Sequence, residues 1–317
     1  MANALDCIVA GSCVVDMLCR PVDLDKPIGH GLLYPCDPIV ITGGGICSNS
    51  GITLARLGVK VGVFTYLGDD DWAPVVRNLY KKEGIDTSPL LTHPTEATST
   101  TVVAIDPSGE RSFWHCVGAP LTMNARTFYD HMDFFANCRM LLLGYYSLMT
   151  NLEPDLAQVF AKLRAVGCRT ALDAAGDGGS MQPLDQILLQ TDVYVPSRAE
   201  AELQTGLDDP QKMIDVFRDC GAPGVVGVKL GGDGVILSDA PGKYVEIGIC
   251  TPPDELVDTT GAGDSFFAGL VTGLLKGMPL ENAGKLGNAA AACCCTTVGG
   301  STGGRGYEQT AGIAGLV

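Results

Sequence analysis

Short apolar runs alternate with longer helical segments along this chain, most regularly from residue 138 onward. Each run ends in or before a glycine, a proline or a polar residue, which is typical of a buried strand. Because strands that alternate with helices form parallel sheets covered on both faces, the pattern predicts an α/β fold with a mostly parallel sheet. The predicted strands are residues 7–11, 61–70, 140–143, 170–172, 193–195, 224–228 and 235–237, and the predicted helices are residues 51–58, 72–83, 155–166, 184–189, 200–205, 210–219 and 266–275.

Two further segments indicate a smaller β structure. A turn that contains proline and glycine joins two β-rich runs within residues 98–118, and such a pattern favours a hairpin. The segment 13–42 includes a proline-rich stretch, residues 21–38, with little periodicity, which indicates an excursion from the core. We expect these two segments to form one small sheet that projects from a single domain spanning residues 1–317.

The composition argues against several classes of protein. The 317 residues are 46% apolar, with a mean hydropathy of +0.21, which is enough for a large core. The formal net charge is −15 and there is no basic run, so nucleic-acid binding is not expected. The apolar runs are too short to span a bilayer, and residues 1–6 lack the basic region of a signal peptide. We therefore expect a cytoplasmic protein with no membrane partner.

The cysteines are scattered along the chain. There are thirteen, and none forms a CxxC pair with the spacing of a zinc site. Cys293, Cys294 and Cys295 lie in an alanine-rich helical run, where cysteine behaves as a small apolar residue. The pattern predicts reduced, mostly buried thiols in a cytoplasmic protein. A redox-sensing role for the triplet is the alternative.

The candidate chemistry is concentrated in the stretch Asp258-Thr259-Thr260-Gly261-Ala262-Gly263-Asp264, which leads into an apolar helical segment. The first N–H groups of a helix have no internal partner, and the helix dipole adds partial positive charge, so such a turn suits an anion such as phosphate. Asp264 is an acid beside this anion site, and it could take the proton from an attacking hydroxyl. The alternative is a tight connection in which Asp264 only complements the dipole.

This stretch, continued as Ser265-Phe266-Phe267-Ala268-Gly269-Leu270, resembles the C-terminal signature of the ribokinase-like (PfkB) family of carbohydrate and nucleoside kinases. The resemblance implies a three-layer α/β/α core with a small β-sheet lid over the substrate. It also implies roles in phosphoryl transfer, with Asp264 as general base. The amides of Gly261, Ala262 and Gly263 would then form the anion hole.

A second match lies near the start of the chain. It consists of two adjacent glycines, an asparagine and two later glycines: Gly44, Gly45, Asn49, Gly58 and Gly68. Their spacing is similar to the family's N-terminal signature, although Cys47 and Gly51 depart from its usual residues. In relatives the Gly-Gly turn and the asparagine contact the sugar, and Asp16 would be a further acceptor for sugar hydroxyls. Without the resemblance, the same residues fit a glycine hinge with Asn49 as a helix N-cap.

The residues that are missing from this turn also carry information. Relatives that phosphorylate sugar phosphates tend to carry a lysine in the Gly-Gly turn. No lysine lies between Gly44 and Asn49 in this chain. We therefore expect an unphosphorylated substrate.

The resemblance also indicates the nucleotide side. Residues 196–203 resemble the family's Asn-x-x-Glu region, in which Glu200 would hold Mg²⁺ through water, while Ser197 stands where asparagine is usual. The loop that follows strand 224–228 resembles the nucleotide-side loop. ATP contacts are thereby assigned to Lys229, Gly231, Gly234 and Asn288. Asp258 and Thr260, with backbone carbonyls around residues 295–301, resemble a monovalent-cation site for K⁺.

Asp173 follows a predicted strand at the carboxyl end, where ligands bind in parallel sheets. Either a pocket role or a helix-capping role fits this position.

Together the two signatures predict ATP-dependent phosphorylation of a hydroxyl on an unphosphorylated sugar or sugar-like polyol, with Mg²⁺ as the metal. In the family the lid is often a dimer contact, which implies a homodimer through the lid. Two alternatives stay open, namely a nucleoside kinase of the same fold and a non-catalytic sugar- or nucleotide-binding protein. A dinucleotide oxidoreductase is disfavoured, because no G-x-G-x-x-G follows the first strand.

Overall fold

The structure is a computed structural model that describes residues 5–26, 29, 31–176 and 178–317. In chain order, the strands are β1 (Leu5–Gly11), β2 (Val14–Cys19), β3 (Val40–Gly44), β4 (Val61–Phe64), β5 (Tyr66–Leu67), β6 (Leu91–Thr92), β7 (Thr100–Ile105), β8 (Arg111–Cys116), β9 (Cys138–Gly144), β10 (Arg169–Leu172), β11 (Val193–Tyr194), β12 (Val225–Lys229), β13 (Val235–Ala240) and β14 (Lys243–Ile247). The helices are α1 (Gly45–Arg56), α2 (Trp72–Lys82), α3 (Ala125–Tyr129), α4 (Met132–Ala136), α5 (Leu156–Ala165), α6 (Met181–Leu188), α7 (Arg198–Thr205), α8 (Pro210–Asp219), α9 (Ala262–Leu275), α10 (Leu280–Cys294) and α11 (Tyr307–Ile313).

The central sheet has eight strands in the order β14-β13-β12-β11-β10-β9-β1-β4. The neighbouring strands β12, β11, β10, β9, β1 and β4 run parallel, and β13 and β14 add an antiparallel edge. In this register Gly11 at the end of β1 lies opposite Gly144 at the end of β9. The carboxyl ends of the parallel strands therefore meet along one edge, which is where a ligand site is expected.

Alternate residues along each strand face opposite helical layers. In β9, Met140 and Leu142 belong to one buried apolar cluster, whereas Leu141 and Leu143 belong to the other. Helices α1, α2, α9 and α10 contribute to the first cluster, and helices α3 to α8 contribute to the second. Burial of apolar surface on both faces of the sheet stabilises these layers. The predicted three-layer α/β/α fold is confirmed.

A second sheet has the order β3-β2-β7-β8. Its strands come from the two segments that the sequence assigns to a small sheet, 13–42 and 98–118. Asp16, Thr101 and His115 lie side by side across three of these strands. On the opposite face, Ile41 and Trp114 are 49% and 48% exposed. We call this four-stranded sheet the lid.

Two element boundaries change the interpretation of single residues. Helix α1 begins at Gly45 with Gly44 as its N-cap, so Asn49 lies inside the helix and does not cap it. Helix α9 begins at Ala262, so Asp264 lies in its first turn.

Other expectations concern the chain as a whole. All thirteen cysteines are free, and most are buried. In the part of the chain that the structure describes, no helix combines the length and the apolar character needed to cross a membrane. The described part of the proline-rich stretch 21–38 forms no helix or strand. Residues 27, 28 and 30 of that stretch, and residues 1–4 of the segment considered as a signal peptide, lie outside the described residues.

Candidate active site

The turn that opens α9 has the backbone that the sequence predicts for an anion site. Gly261 is the N-cap with φ 75°, and a Cβ there would lie 2.4 Å from the carbonyl oxygen of Gly300. Only glycine fits both conditions. The N–H of Ala262 donates to the carbonyl of Thr259 at 3.1 Å. Among the described residues, the N–H groups of Gly261 and Gly263 have no such acceptor, so they are the free donors of the turn.

Asp264 is the central acid of the site. Its side chain is buried, and its Oδ2 accepts hydrogen bonds from Asn49 Nδ2 and from the Tyr145 hydroxyl, both at 2.8 Å. The Ser50 hydroxyl donates to its backbone carbonyl at 2.9 Å. Burial raises the pKa of Asp264 above its ordinary value, against the opposing effect of the hydrogen bonds from Asn49 and Tyr145. With Oδ2 occupied, Oδ1 is the oxygen left to accept a proton.

Tyr145 is a site residue that the sequence did not reveal. It follows β9 directly and has a left-handed backbone with φ 61°. It lines two cavities, and Asp264 lines one of them. The available signal was its position, because Tyr145 comes directly after a buried parallel strand, where ligand-binding residues concentrate.

The first cavity, which we call the lid cavity, has a volume of about 280 Å³ and lies between the lid and the end of β9. Asp16 and Gly45 line it. Burial raises the pKa of Asp16, against the opposing effect of a hydrogen bond from Thr101. A Cβ on Gly44 would lie 2.0 Å from Asp16 Oδ2, and Gly45 has φ 72° with a Cβ position 2.5 Å from the Ser12 carbonyl. The Gly-Gly turn thus makes room for the Asp16 carboxylate.

Asn49 serves the site differently from the other predicted sugar contacts. It does not line the lid cavity, and its Nδ2 holds Asp264. Its Oδ1 is buried and has no hydrogen-bond partner among the described residues. A Cβ on Gly300, which does line the cavity, would lie 2.4 Å from this oxygen. Because buried acceptors are nearly always satisfied, this oxygen is an exception within the site.

The second cavity, the nucleotide-side cavity, has a volume of about 580 Å³. Predicted site residues from three separate parts of the chain line it: Glu200, Lys229, Gly231, Gly261, Gly263 and Asp264. Lys229 is the single cationic side chain among the described residues that line it. A Cβ on Gly263 would lie 3.4 Å from Lys229 Nζ. The ammonium group is therefore placed next to the free amides of the α9 turn.

Lys229 is held by a buried partner, Asp173. The distance from Lys229 Nζ to Asp173 Oδ1 is 2.9 Å, and the two side chains are 14% and 3% exposed. Burial raises the pKa of Asp173 to about 7, although Lys229 opposes this effect. Burial lowers the pKa of Lys229, but the charges of Asp173 and Glu200 outweigh it, so the net pKa is raised and the amine stays protonated. Asp173 thus lies in the cavity, and not at a helix cap.

Glu200 and Ser197 form a reciprocal cap at the start of α7. The Ser197 N–H donates to Glu200 Oε2 at 2.6 Å, and the Glu200 N–H donates to the Ser197 hydroxyl at 3.3 Å. Serine at this position is therefore explained by a capping box. Both residues line the nucleotide-side cavity. The carboxylate of Glu200 is fixed through one oxygen and keeps the other for a ligand.

Two of the predicted nucleotide contacts do not line this cavity. The Asn288 amide donates to the carbonyls of Gly248 at 2.8 Å and Ile247 at 3.3 Å, so its side chain ties α10 to the end of β14. Gly234 has φ 96°, and a Cβ there would lie 2.1 Å from the Ile247 carbonyl. Both residues shape the wall of the fold behind the Lys229 loop.

Asp258 organises the loops around the turn. Its Oδ1 accepts from the Thr260 N–H at 2.8 Å and lies 2.6 Å from a guanidinium nitrogen of Arg111, and its Oδ2 accepts from the Gly299 N–H at 3.0 Å. Burial raises the pKa of Asp258, but the hydrogen bonds from Gly299, Arg111 and Thr260 outweigh it, and the net pKa is lowered. Arg111 belongs to β8 of the lid and also contacts the Thr260 hydroxyl. Sequence reasoning did not single out Arg111.

Comparison with known proteins identifies the family. The model of the pfkB family of carbohydrate kinases matches residues 6–304. The chain is 31% identical over 253 residues to a ribokinase of Haemophilus influenzae, covering 78% of this chain and 79% of that protein. It is 29% identical over 288 residues to a fructokinase of Klebsiella pneumoniae, covering 84% and 83%.

Solved structures share the fold. The ribokinase of Arabidopsis thaliana, complexed with ribose and ATP, superposes with a TM-score of 0.82 at 23% identity and 99% coverage of both chains. A candidate ribokinase II of E. coli, in complex with ATP and Mg²⁺, superposes with a TM-score of 0.83 at 21% identity, covering 99% of this chain and 100% of that one.

This fold, with a buried acid in the first turn of a helix that follows a glycine turn, defines a phosphotransferase of the ribokinase-like class. The chain belongs to the pfkB family of carbohydrate kinases, and it is a sugar kinase.

Proposed function

We propose that this protein transfers the γ-phosphoryl group of ATP to a hydroxyl of an unphosphorylated sugar or sugar-like polyol. The observation that carries the proposal is the position of Asp264. Its carboxylate lines the nucleotide-side cavity beside the free amides of α9, and it is hydrogen-bonded to Tyr145, which also lines the lid cavity. A base at this point can reach a hydroxyl on one side while the phosphate approaches from the other.

The proposed reaction assigns one task to each part of the turn. Asp264 Oδ1 takes the proton from the sugar hydroxyl as the oxygen attacks the γ-phosphorus. The bond from the γ-phosphorus to the bridging oxygen breaks, and ADP leaves. The N–H groups of Gly261 and Gly263 stabilise the charge on the phosphoryl oxygens, together with the α9 dipole. The N–H of Ala262 is bonded to the Thr259 carbonyl, so Ala262 shapes the turn and does not donate to the phosphate.

Mg²⁺ and Lys229 are proposed to handle the charge of ATP. The residues fit Mg²⁺, which keeps several waters and binds through few carboxylates, because Glu200 has one oxygen free toward the cavity. Bound Mg²⁺ would neutralise phosphate oxygens. Lys229 donates to the phosphates, and Gly231 lets the backbone lie close to them. Gly234 and Asn288 are assigned to shaping this wall.

The sugar is proposed to bind in the lid cavity. Asp16 accepts hydrogen bonds from sugar hydroxyls, Gly44 and Gly45 leave the space for them, and Asn49 orients the Asp264 carboxylate that acts on the sugar. Arg111 is already paired with Asp258, and the His115 ring is bonded to Thr101 at 3.0 Å. The Asp16 carboxylate would also repel a phosphate. These contacts support an unphosphorylated substrate.

A nucleoside is the second candidate substrate, because one wall of the lid cavity is apolar. Val103, Ile105 and Phe113 lie on this wall. A flat base would bury apolar surface against them, whereas a small sugar would leave them uncovered.

Three further proposals follow from the family resemblance. A monovalent cation such as K⁺ is proposed at Asp258 and Thr260, although Arg111 and two N–H groups already use the Asp258 oxygens, so no step is derived through the ion. The homodimer is proposed to form through the lid.

A cytoplasmic location is proposed because thirteen free cysteines suit a reducing compartment.

The test is ADP release with Mg²⁺ and K⁺ over a panel of free sugars, sugar acids and nucleosides. Asp264→Asn is expected to lower kcat by roughly 10²–10⁴-fold while ATP binding, measured by calorimetry, is retained. Asp133→Asn is the matched control, because Asp133 is also a first-turn helix acid, in α4. Undiminished turnover in Asp264→Asn would rule out the mechanism, and ligand binding without ADP release by the native chain would indicate a binding protein.

A further inference from the structure

Tyr145 lies at the boundary between the two cavities. Its hydroxyl donates to Asp264 Oδ2 at 2.8 Å, and its ring lines the lid cavity and the nucleotide-side cavity at once. Asn49 donates to the same oxygen at 2.8 Å from α1. Two donors from distant parts of the chain therefore fix one oxygen of the carboxylate. The rotation of the Asp264 side chain is determined by this pair, and Oδ1 is the oxygen left for a ligand in the nucleotide-side cavity, which Asp264 lines.

The backbone of Tyr145 supports a functional reason for its position. It is the single non-glycine residue with positive φ among those that the structure describes, at 61°. A bulky L-residue in this region costs about 1–2 kcal/mol, which the surrounding structure must offset. The N–H groups of Tyr145 and Tyr146 both donate to the Asp173 carbonyl, at 3.0 and 3.5 Å, and hold the turn. Glycine would remove the strain but also the hydroxyl.

The phenol is suited to remain a donor. Burial raises the pKa of Tyr145 well above its ordinary value, and the charge of Asp264 acts in the same direction. The hydroxyl therefore stays protonated where the carboxylate is ionised. A hydrogen bond to a carboxylate favours its ionised form.

We propose that Tyr145 is a positioning residue of the kinase site, whose hydroxyl holds Oδ2 so that Oδ1 of an ionised Asp264 faces the acceptor hydroxyl. The inference rests on the proposed function and deepens it. The competing interpretation is that the ring only fills the space between the cavities. The two interpretations differ in what they expect when the ring is kept and the hydroxyl is removed.

Other groups also act on Asp264, and they stay the same in such a variant. Lys229 at the end of β12 favours its ionised form, and Glu200 on α7 and Asp173 after β10 oppose it. The Cys294 thiol on α10 is close to the same carboxylate. Because none of these groups changes, the difference between native and variant profiles isolates the phenol.

The experiment is the pH dependence of kcat for Tyr145→Phe at saturating ATP, with the sugar found in the panel. Turnover needs ionised Asp264, so it falls as the pH is lowered through the pKa of this group. Loss of the donor destabilises the ionised form, so the acidic limb of the variant is expected at higher pH. We expect kcat to fall roughly tenfold, the size of one hydrogen bond to a charged group. The KM for the sugar should change little, because the ring remains.

Tyr146→Phe is the matched control. It removes the hydroxyl of the neighbouring buried tyrosine, which donates to the Gly178 carbonyl at 3.0 Å. Its pH profile should coincide with that of the native protein. Thermal unfolding and ATP titration of each variant show whether the fold and the nucleotide site are intact.

The outcomes separate the inference from the proposed function. An active native enzyme whose Tyr145→Phe variant keeps the native acidic limb overturns the role of Tyr145 and leaves the kinase reaction standing. If the native protein turns over no substrate, the proposed function fails first. A fall in kcat with an unshifted limb shows that the hydroxyl does not act on the ionisation of Asp264 and also overturns the proposal.

Discussion

At the residue scale, the ion pair of Asp173 and Lys229 affects both the position of an ammonium group and the stability of the fold. Their side chains are almost completely buried, and the pair places the ammonium group beside the α9 turn. A buried ion pair adds little net stability, but removal of one partner leaves a charge without compensation. The stability of the fold near the site therefore depends on this pair, and the dependence varies with pH.

Lys229→Met is expected to lower the free energy of unfolding by about 3 kcal/mol near pH 8, because the Asp173 carboxylate then stays buried and unpaired. Burial already raises the pKa of Asp173 to about 7 in the native protein. A carboxyl whose pKa is raised by folding favours the folded state when protonated. The deficit should therefore be small near pH 4 and grow as the pH rises through 7. Urea unfolding across this range measures it.

Two variants control this prediction. Lys229→Arg keeps the positive charge and should lose less stability than Lys229→Met. The double variant Lys229→Met, Asp173→Asn removes the uncompensated charge and should recover stability at high pH. A deficit in Lys229→Met that does not change with pH would contradict the role assigned to the Asp173 charge.

At the scale of elements, the lid is tied to the core by one long side chain. Arg111 starts from β8 and reaches Asp258 and Thr260, which precede the α9 turn. The side chains of Arg111 and Asp258 are 26% and 3% exposed, so salt screens this pair less than a surface pair. The contact joins the roof of the lid cavity to the loop that leads into the anion site.

Arg111→Met is expected to raise the KM for the sugar by roughly fivefold, the equivalent of about 1 kcal/mol, with the KM for ATP nearly unchanged. The reason is that the lid loses its charged contact with the core. Steady-state kinetics with each substrate varied in turn gives both constants. Arg126→Met is the control, because it breaks an exposed pair with Asp130 on α3. Equal effects of the two substitutions would contradict a closing role for Arg111.

Local sequence predicted the elements well where the signal lay within a few residues. Gly261, Gly263 and Asp264 are neighbours in one turn, so the stretch itself was enough to predict an anion site there. Contacts between distant parts of the chain could not be predicted in this way. Tyr145 and Asp264 are separated by 119 positions, and no local pattern says that a residue after β9 reaches the start of α9.

Side-chain direction was the other limit of the sequence. Asn288 lies in an alanine-rich helix whose pattern identifies the helix but not what its polar residue contacts. In the structure its amide faces the end of β14, because two backbone carbonyls there need donors. Asn49 was expected at the sugar, and its Nδ2 was found on Asp264, since α1 begins earlier than its apolar pattern indicated.

At the scale of the whole molecule, the outer face of the lid is the surface that bears on assembly. Ile41 and Trp114 are about half exposed on it, and side chains of this size are seldom left in water together. We expect the double variant Ile41→Ser, Trp114→Ser to shift the protein from dimer to monomer in sedimentation experiments at micromolar concentration. Leu203→Ser on α7 removes a side chain that is 65% exposed outside the lid and should leave the dimer intact. A native protein that sediments as a monomer would refute this mode of assembly.

Three close approaches connect the Gly300 loop to Asp264, the proposed catalytic base. A Cβ on Gly261 would meet the backbone of Gly300, a Cβ on Gly300 would meet the amide of Asn49, and that amide holds Asp264. Neither Gly261 nor Gly300 has room for a methyl group. A substitution at Gly300 would therefore displace the base from a distance.

Positions around the site therefore differ in how well they tolerate substitution. This difference matters for engineering a new substrate specificity. Random libraries that include Gly261 or Gly300 would mostly yield dead clones. The apolar lid wall, Val103, Ile105 and Phe113, touches the lid cavity without touching Asp264. Mutations that change which phosphoryl acceptor is used are expected at these three positions.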